Sequence, residues 1–222
     1  MENPKPMQNQ PEEAQDLLAK ARAQKKKLTI AGIAVVVVLI GALATFFIVR
    51  SGSAKADELA GKAYIAAANI NPADSVAQDS VLQLFLTAAD AGYKSGNIAK
   101  LEAAIIYYRQ GKNQEALALL DDASIKDDII AAGAKTLQGD CYANLENYDE
   151  AVKCFDKAVD KAGNNPQIVP FILVKKANVL RAKKDYAAEA EALKTIVEKY
   201  PRYSDMHGIE RYYERAAALA AK

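Results

Sequence analysis

The chain has 222 residues, of which 51% are hydrophobic and 26% charged, and its formal net charge is +1 at pH 7. Residues 51–222 carry 22 Lys and Arg and 24 Asp and Glu, a net charge of −2. This balance argues against the basic face that nucleic-acid binding needs. The length allows one domain with a sizeable core beside a membrane segment.

Residues 28–49 are an uninterrupted apolar run without a charged side chain. At about 1.5 Å per residue, a helix of this length crosses a hydrocarbon core of about 30 Å. We predict a transmembrane helix in segment 28–50, after a tail, residues 1–27, that includes a juxtamembrane helix. A cleaved signal peptide is the alternative, since Ala54 and Ala56 fit a small-x-small site, and cleavage after Ala56 would release a soluble periplasmic binding protein.

Basic residues flank the apolar run unevenly. The N-terminal flank holds Lys20, Arg22, Lys25, Lys26 and Lys27, whereas Arg50, Lys55 and Lys62 are spread over the other flank. This bias predicts a cytoplasmic N-terminus and a periplasmic domain over residues 51–222. An inverted topology with a cytoplasmic regulatory domain remains the alternative.

Gly41 and Thr45 lie four residues apart in the apolar run. Small residues at this spacing let a neighbouring helix approach closely, which predicts a membrane docking face. Ordinary membrane-helix composition gives the same pattern.

Three segments of the remaining chain align with one another, residues 99–123, 131–162 and 170–201. Each has the pattern of a helix, a short polar turn and a second helix, with the turns at residues 110–113, 145–147 and 183–185. Helices over residues 55–70 and 76–91 precede these segments. A helix over residues 205–221 follows them. The pattern predicts an all-α fold whose repeated region is closed at both ends by capping helices.

Small and large residues alternate at fixed positions in these segments. The second has Gly139-x-x-Tyr142 and then Ala151-x-x-x-Phe155-x-x-Ala158. These motifs resemble tetratricopeptide repeats. The third segment departs from the pattern, because Glu189 stands where a small residue is usual.

The resemblance implies an α-solenoid, in which antiparallel helix pairs form a right-handed superhelix. The repeats would cover about residues 99–130, 131–166 and 170–203 of a domain over 99–222, preceded by N-terminal capping helices over residues 51–98. A concave face would bind an extended peptide or a partner helix. On the family's register that face includes Leu101, Ile105, Tyr108, Arg109, Thr136, Asp140, Asn144, Val174, Asn178 and Arg181. The alternative is that these residues simply form a solvated inner surface.

The sequence offers little for catalysis. His207 is the only histidine, which rules out a histidine-based metal cluster or catalytic triad, and no phosphate-binding glycine loop is present. We therefore expect no enzyme, no cofactor and no small-molecule substrate. The two cysteines, Cys141 and Cys154, are either buried free thiols or a disulfide in an oxidising compartment.

A basic tail, one anchor and an exported repeat domain together resemble YfgM-like proteins of the bacterial inner membrane. The resemblance implies a scaffold at the SecYEG translocon, with a PpiD-like periplasmic chaperone and exported chains as partners. A scaffold in outer-membrane assembly or cell division is the leading alternative.

Overall fold

A computed structural model describes residues 10–71 and 74–222, with side chains from residue 38 onward. The described residues form ten helices and no strand, which confirms the all-α class. The helices are α1 (Gln10–Ala68), α2 (Ser75–Asp90), α3 (Tyr93–Arg109), α4 (Asn113–Asp122), α5 (Asp128–Asn144), α6 (Tyr148–Ala162), α7 (Ile168–Ala182), α8 (Tyr186–Lys199), α9 (Pro201–His207) and α10 (Ile209–Ala220). The chain divides into one unit ending at Ser51 and another comprising Gly52–Lys222.

The first unit contains the apolar part of α1. The large apolar side chains of this part are exposed; Val38, for example, is 69% exposed and Ile48 is 68% exposed. Within Val38–Ala68, α1 is long and apolar enough to cross a membrane. Residues 1–9 of the predicted tail, and the side chains of the basic cluster before residue 28, lie outside the described residues.

Helix α1 runs without a break to Ala68, whereas the sequence predicted a separate helix beginning at residue 55. Gly52 is the only strong helix-disfavouring residue in the intervening segment, and it costs about 1 kcal/mol relative to alanine. That cost is too small to end a helix that has favourable neighbours on both sides. The predicted helix 76–91 is confirmed as α2, and the Asp74 carboxylate caps it by accepting from the amide of Val76 at 3.0 Å.

The second unit begins with the end of α1 packed on α2 and α3. Ala60 and Ala63 join Val81 and Phe85 in one core cluster, and the rings of Tyr64 and Phe85 meet edge to face at 5.2 Å. Helix α3 begins at Tyr93, so the first helix of the first repeat starts six residues earlier than residue 99, where the sequence pattern predicted it.

The three helix pairs α3/α4, α5/α6 and α7/α8 turn in the same way, at the predicted positions. Gly111, Glu146 and Lys184 occupy equivalent sites and have φ of +76°, +60° and +63°. The amide that follows each of them donates 2.9 Å back to the first helix of the pair, from Lys112 to Tyr107, Asn147 to Tyr142 and Asp185 to Leu180. This bond satisfies a carbonyl at the helix end. The same cap therefore fixes the geometry of all three pairs.

Close contact between paired helices is tightest in the middle repeat. Phe155 is fully buried, and a Cβ placed on Gly139 would lie 2.6 Å from its ring. The absence of a side chain at Gly139 therefore lets α5 and α6 approach, and Ala151 and Ala158, both fully buried, continue the contact.

The prediction of one closing helix over residues 205–221 is wrong. Gly208 has left-handed φ and ψ of 59° and 41°, and its amide caps α9 through the carbonyl of Ser204. Pro201 stands in the first turn of α9, where its missing N–H costs nothing. The result is a short α9 and a separate α10, which packs on α8.

Candidate partner-binding surface

The first helices of the three pairs, α3, α5 and α7, carry all ten residues predicted for the concave face. Helix α5 contacts both α3 and α7. The structure distributes seven of the ten residues over three separate cavities rather than one continuous groove.

The first cavity holds Ile105 and Arg109. It has a volume of about 200 Å³ and is closed on the other side by Tyr64 and Phe85. The Tyr64 hydroxyl donates to Glu102 at 3.2 Å, which places a carboxylate beside an apolar floor.

Leu101 and Tyr108 lie apart from this cavity. Leu101 is only 9% exposed and belongs to a core cluster with Ala104 and Leu120, against which Tyr108 also packs. For Leu101 the structure thus differs from the expectation of an open surface position. The reason is its spacing, because residues 101 and 104 lie on the same side of α3 and both enter the core.

The second cavity, of about 410 Å³, holds Thr136 and Asp140 between α5 and α7. Its wall includes Phe171, which is 49% exposed. Asp140 accepts from the Lys175 ammonium at 2.9 and 3.0 Å. Burial raises the pKa of Asp140, although the hydrogen bond from Lys175 acts in the opposite direction. The groove therefore combines an apolar wall with one ion pair.

Two of the predicted binding residues on α5 already form hydrogen bonds with other residues of the chain. The Thr136 hydroxyl is buried and donates to the carbonyl of Ala132 at 2.8 Å. Asn144 is exposed, lies outside the three cavities and donates to Asn113 at 3.1 Å. Thr136 thus offers its methyl group rather than its hydroxyl to a ligand.

The third cavity, of about 330 Å³, holds Val174, Asn178 and Arg181. Arg181 donates to Asn178 at 2.9 Å. The rest of the wall was not predicted from the sequence. It consists of Ala177 from α7, Glu189 and Leu193 from α8, Tyr203 and His207 from α9, and Ile209 and Tyr212 from α10. Only the departure at Glu189 from the repeat pattern could have indicated this site in advance.

The predicted membrane docking residues lie in the other unit of the chain. Thr45 donates its hydroxyl to the carbonyl of Gly41 at 2.8 Å within α1. A Cβ on Gly41 would meet no heavy atom within 4 Å. The small-residue face is thus open along the helix, and its one hydroxyl is already bonded.

Both cysteines are free thiols and buried. Burial raises the pKa of Cys141 to about 12 and also raises the pKa of Cys154. Within residues 38–71 and 74–222, no group of three or more His, Cys, Asp or Glu side chains is placed to hold a metal ion.

The repeat geometry and the comparison with known families agree. Residues 132–165 match the tetratricopeptide repeat family. The matched segment covers most of α5 and all of α6, the middle of the three pairs that share one turn geometry. No curated protein shows significant similarity to the chain. The chain thus contains a tetratricopeptide-type repeat region, a fold used for contacts between proteins.

Proposed function

We propose that the chain is a membrane-anchored scaffold that binds protein partners along α3, α5 and α7. The observation that carries the proposal is the row of three cavities, each of which combines apolar walls with a few polar groups, in and beside the matched repeat. Cavities of this composition suit side chains of an extended peptide or a partner helix.

The proposed location is the bacterial inner membrane, with a cytoplasmic N-terminus and a periplasmic repeat domain. The basic residues before the apolar run support this orientation. The open apolar surface of α1 around Leu43, which is 57% exposed, supports a place in lipid. Protease digestion of spheroplasts tests the orientation, because the repeat domain should be degraded from outside while the tail stays protected.

The proposed partners are the SecYEG translocon, a PpiD-like periplasmic chaperone and exported chains. In this arrangement the anchor docks beside the channel through Gly41 and Thr45, while the repeat domain holds the chaperone or the emerging chain. The layout of tail, anchor and repeats supports this assignment over other envelope scaffolds. Recovery of outer-membrane assembly or division proteins in place of translocon subunits would favour the alternative.

Site-specific photocrosslinking in intact cells tests the proposal. A photoreactive residue at Phe171, in the second cavity, should capture a periplasmic protein, and one at Ile48, on the same face of α1 as Gly41 and Thr45, should capture a translocon subunit. Lys157 is the matched control, since it is exposed on α6 and lines none of the three cavities. Equal capture from positions 157 and 171 would contradict the assignment of the binding face.

A substitution in the anchor separates docking from simple insertion. Gly41→Leu places a bulky side chain on the small-residue face and should reduce the adduct formed from position 48 severalfold. Ala42→Leu makes a similar increase in volume about 100° around the helix and should leave the adduct unchanged. An equal effect of both substitutions would remove the argument for a specific face.

A further inference from the structure

The third repeat contains a carboxylate at a position that the other two repeats fill with alanine. Ala116 and Ala151 are fully buried, and Glu189, their equivalent in α8, is only 1% exposed. A buried carboxylate is strongly unfavourable unless donors or an opposite charge reach both of its oxygens. Glu189 therefore needs partners that the first two repeats do not need.

One oxygen of this carboxylate has its partner. Arg215 of α10 forms an ion pair with Glu189 Oε1, and the Arg215 side chain is 41% exposed. Among the described residues no donor reaches the second oxygen, Oε2, which is itself shielded from solvent. A charged, buried acceptor thus remains without a hydrogen bond, although such groups are almost always satisfied in folded proteins.

Glu189 also lines the third cavity, whose walls include the rings of Tyr203, His207 and Tyr212. Tyr212 forms one side, and Tyr203 stacks on His207 with ring centroids 4.2 Å apart. The volume of about 330 Å³ suits a single large side chain. A carboxylate beside aromatic faces is the arrangement that favours a cation with an aliphatic stem.

We propose that the third cavity is a binding site for an arginine or lysine side chain of a protein partner, which donates to Glu189 Oε2 after the side chains that shield this oxygen move apart, while its stem packs against Tyr203. The inference rests on the proposed scaffold function and specifies what this part of the surface recognises. Arg215 keeps Oε1, so the incoming cation shares the carboxylate with it. Arg181 is exposed and bonded to Asn178, so water screens its charge from the ligand.

Methyl NMR of the full chain in detergent micelles tests the site directly. The probes are N-acetylarginine amide, N-acetyllysine amide and the neutral isostere N-acetylcitrulline amide. The methyl groups of Leu193 and Ile209 line the cavity and should shift saturably with both cationic probes, with dissociation constants of about 1 mM. Citrulline should bind about tenfold more weakly, because it lacks the charge that strengthens the hydrogen bond.

Substitutions at the carboxylate make the test specific. Glu189→Gln keeps the shape but removes the charge and should weaken arginine binding about tenfold. Glu191→Gln, the same change at an exposed site on α8, should have no effect. Arg215→Gln makes the ligand the only cation on Glu189 and should tighten binding, whereas Arg202→Gln should not. The Arg215 variant also keeps the proposal testable should Glu189→Gln fail to give the native circular dichroism spectrum.

Three results would overturn the proposal: equal binding of arginine and citrulline, unchanged binding in both Glu189→Gln and Arg215→Gln, or no methyl shift at probe concentrations about ten times the expected constant. If any of these results is obtained while position 171 still gives a specific adduct, the cation-site proposal is wrong and the scaffold proposal stands. Loss of the adduct, with the methyl shifts intact, would instead remove the scaffold.

Discussion

Gly139→Ala is the sharpest test of how the paired helices pack. The added Cβ would lie 2.6 Å from Phe155 Cε1 and 2.8 Å from two further ring atoms. Carbon atoms in contact prefer about 3.5–4.0 Å, so the ring would have to move by about 1 Å. Phe155 is fully buried and cannot turn into solvent. The helices must therefore separate or the ring must leave its preferred conformation.

Such overpacking costs about 1–3 kcal/mol, while replacing glycine by alanine in a helix returns about 1 kcal/mol. Because Phe155 is fully buried, we expect the upper part of the overpacking range, about 2–3 kcal/mol, and therefore a net decrease of about 1–2 kcal/mol in the free energy of unfolding. Gly133→Ala is the matched control, because Gly133 is exposed on the same helix and a Cβ there meets no heavy atom within 4 Å. That variant should gain up to about 1 kcal/mol.

Urea unfolding of the full chain in detergent, followed by circular dichroism, measures both variants. Adding Phe155→Leu to Gly139→Ala should recover part of the loss, since the two sites share one contact. Native stability of Gly139→Ala, or equal changes in stability in Gly133→Ala and Gly139→Ala, would contradict tight packing of Gly139 against Phe155.

Two further predictions concern ionisable groups. Because burial holds the pKa of Asp140 above its ordinary 3.8, the folded chain binds more protons there than the unfolded chain, and the stability contributed by Asp140 falls as pH rises through and above 3.8. The free energy of unfolding of the native chain minus that of Asp140→Asn should therefore decrease over that range in urea titrations, and an increase would contradict the sign. Since burial raises the pKa of Cys141 to about 12, iodoacetamide at about pH 8 should label it only as fast as the domain opens. Mass spectrometry measures the labelling, and equal labelling rates for the native and urea-treated chains would contradict the prediction.

The features that the sequence predicted well are those fixed by local chemistry. The three turns follow from residues that cap or end helices within a few positions, and the structure places Gly111, Glu146 and Lys184 at equivalent sites in them. Glycine enters the left-handed conformation at no steric cost, but Glu146 and Lys184 do so at about 1 kcal/mol each. Their positions follow from the alignment of the repeats, not from residue preference.

The continuity of α1 and the burial of Leu101 depend on cooperative helix formation and tertiary packing, which residue patterns do not predict. Helix α1 passes through Gly52 because one weak position does not outweigh the turns on either side. Leu101 enters the core because packing of α3 against α4 and α5 decides which apolar residues are covered. Alignment with a repeat family predicts which face of a helix a residue occupies, but not how deeply its side chain is buried.

The third cavity depends on one feature that the sequence shows, the carboxylate at Glu189, and on helix packing that the sequence did not predict. The carboxylate at Glu189 was visible in the sequence as a departure from two aligned alanines, and such a departure at a buried position requires a local partner. That partner, Arg215, is 26 residues away and reaches α8 only because Gly208 ends α9 and starts a new helix that packs on α8. With one continuous helix over 205–221, as the sequence predicted, α9 and α10 could not form the bent wall that closes this cavity. The break at Gly208 therefore helps to form the proposed binding site, and a substitution such as Gly208→Ala, strained at its positive φ, should disturb cation binding there before it disturbs the other two cavities.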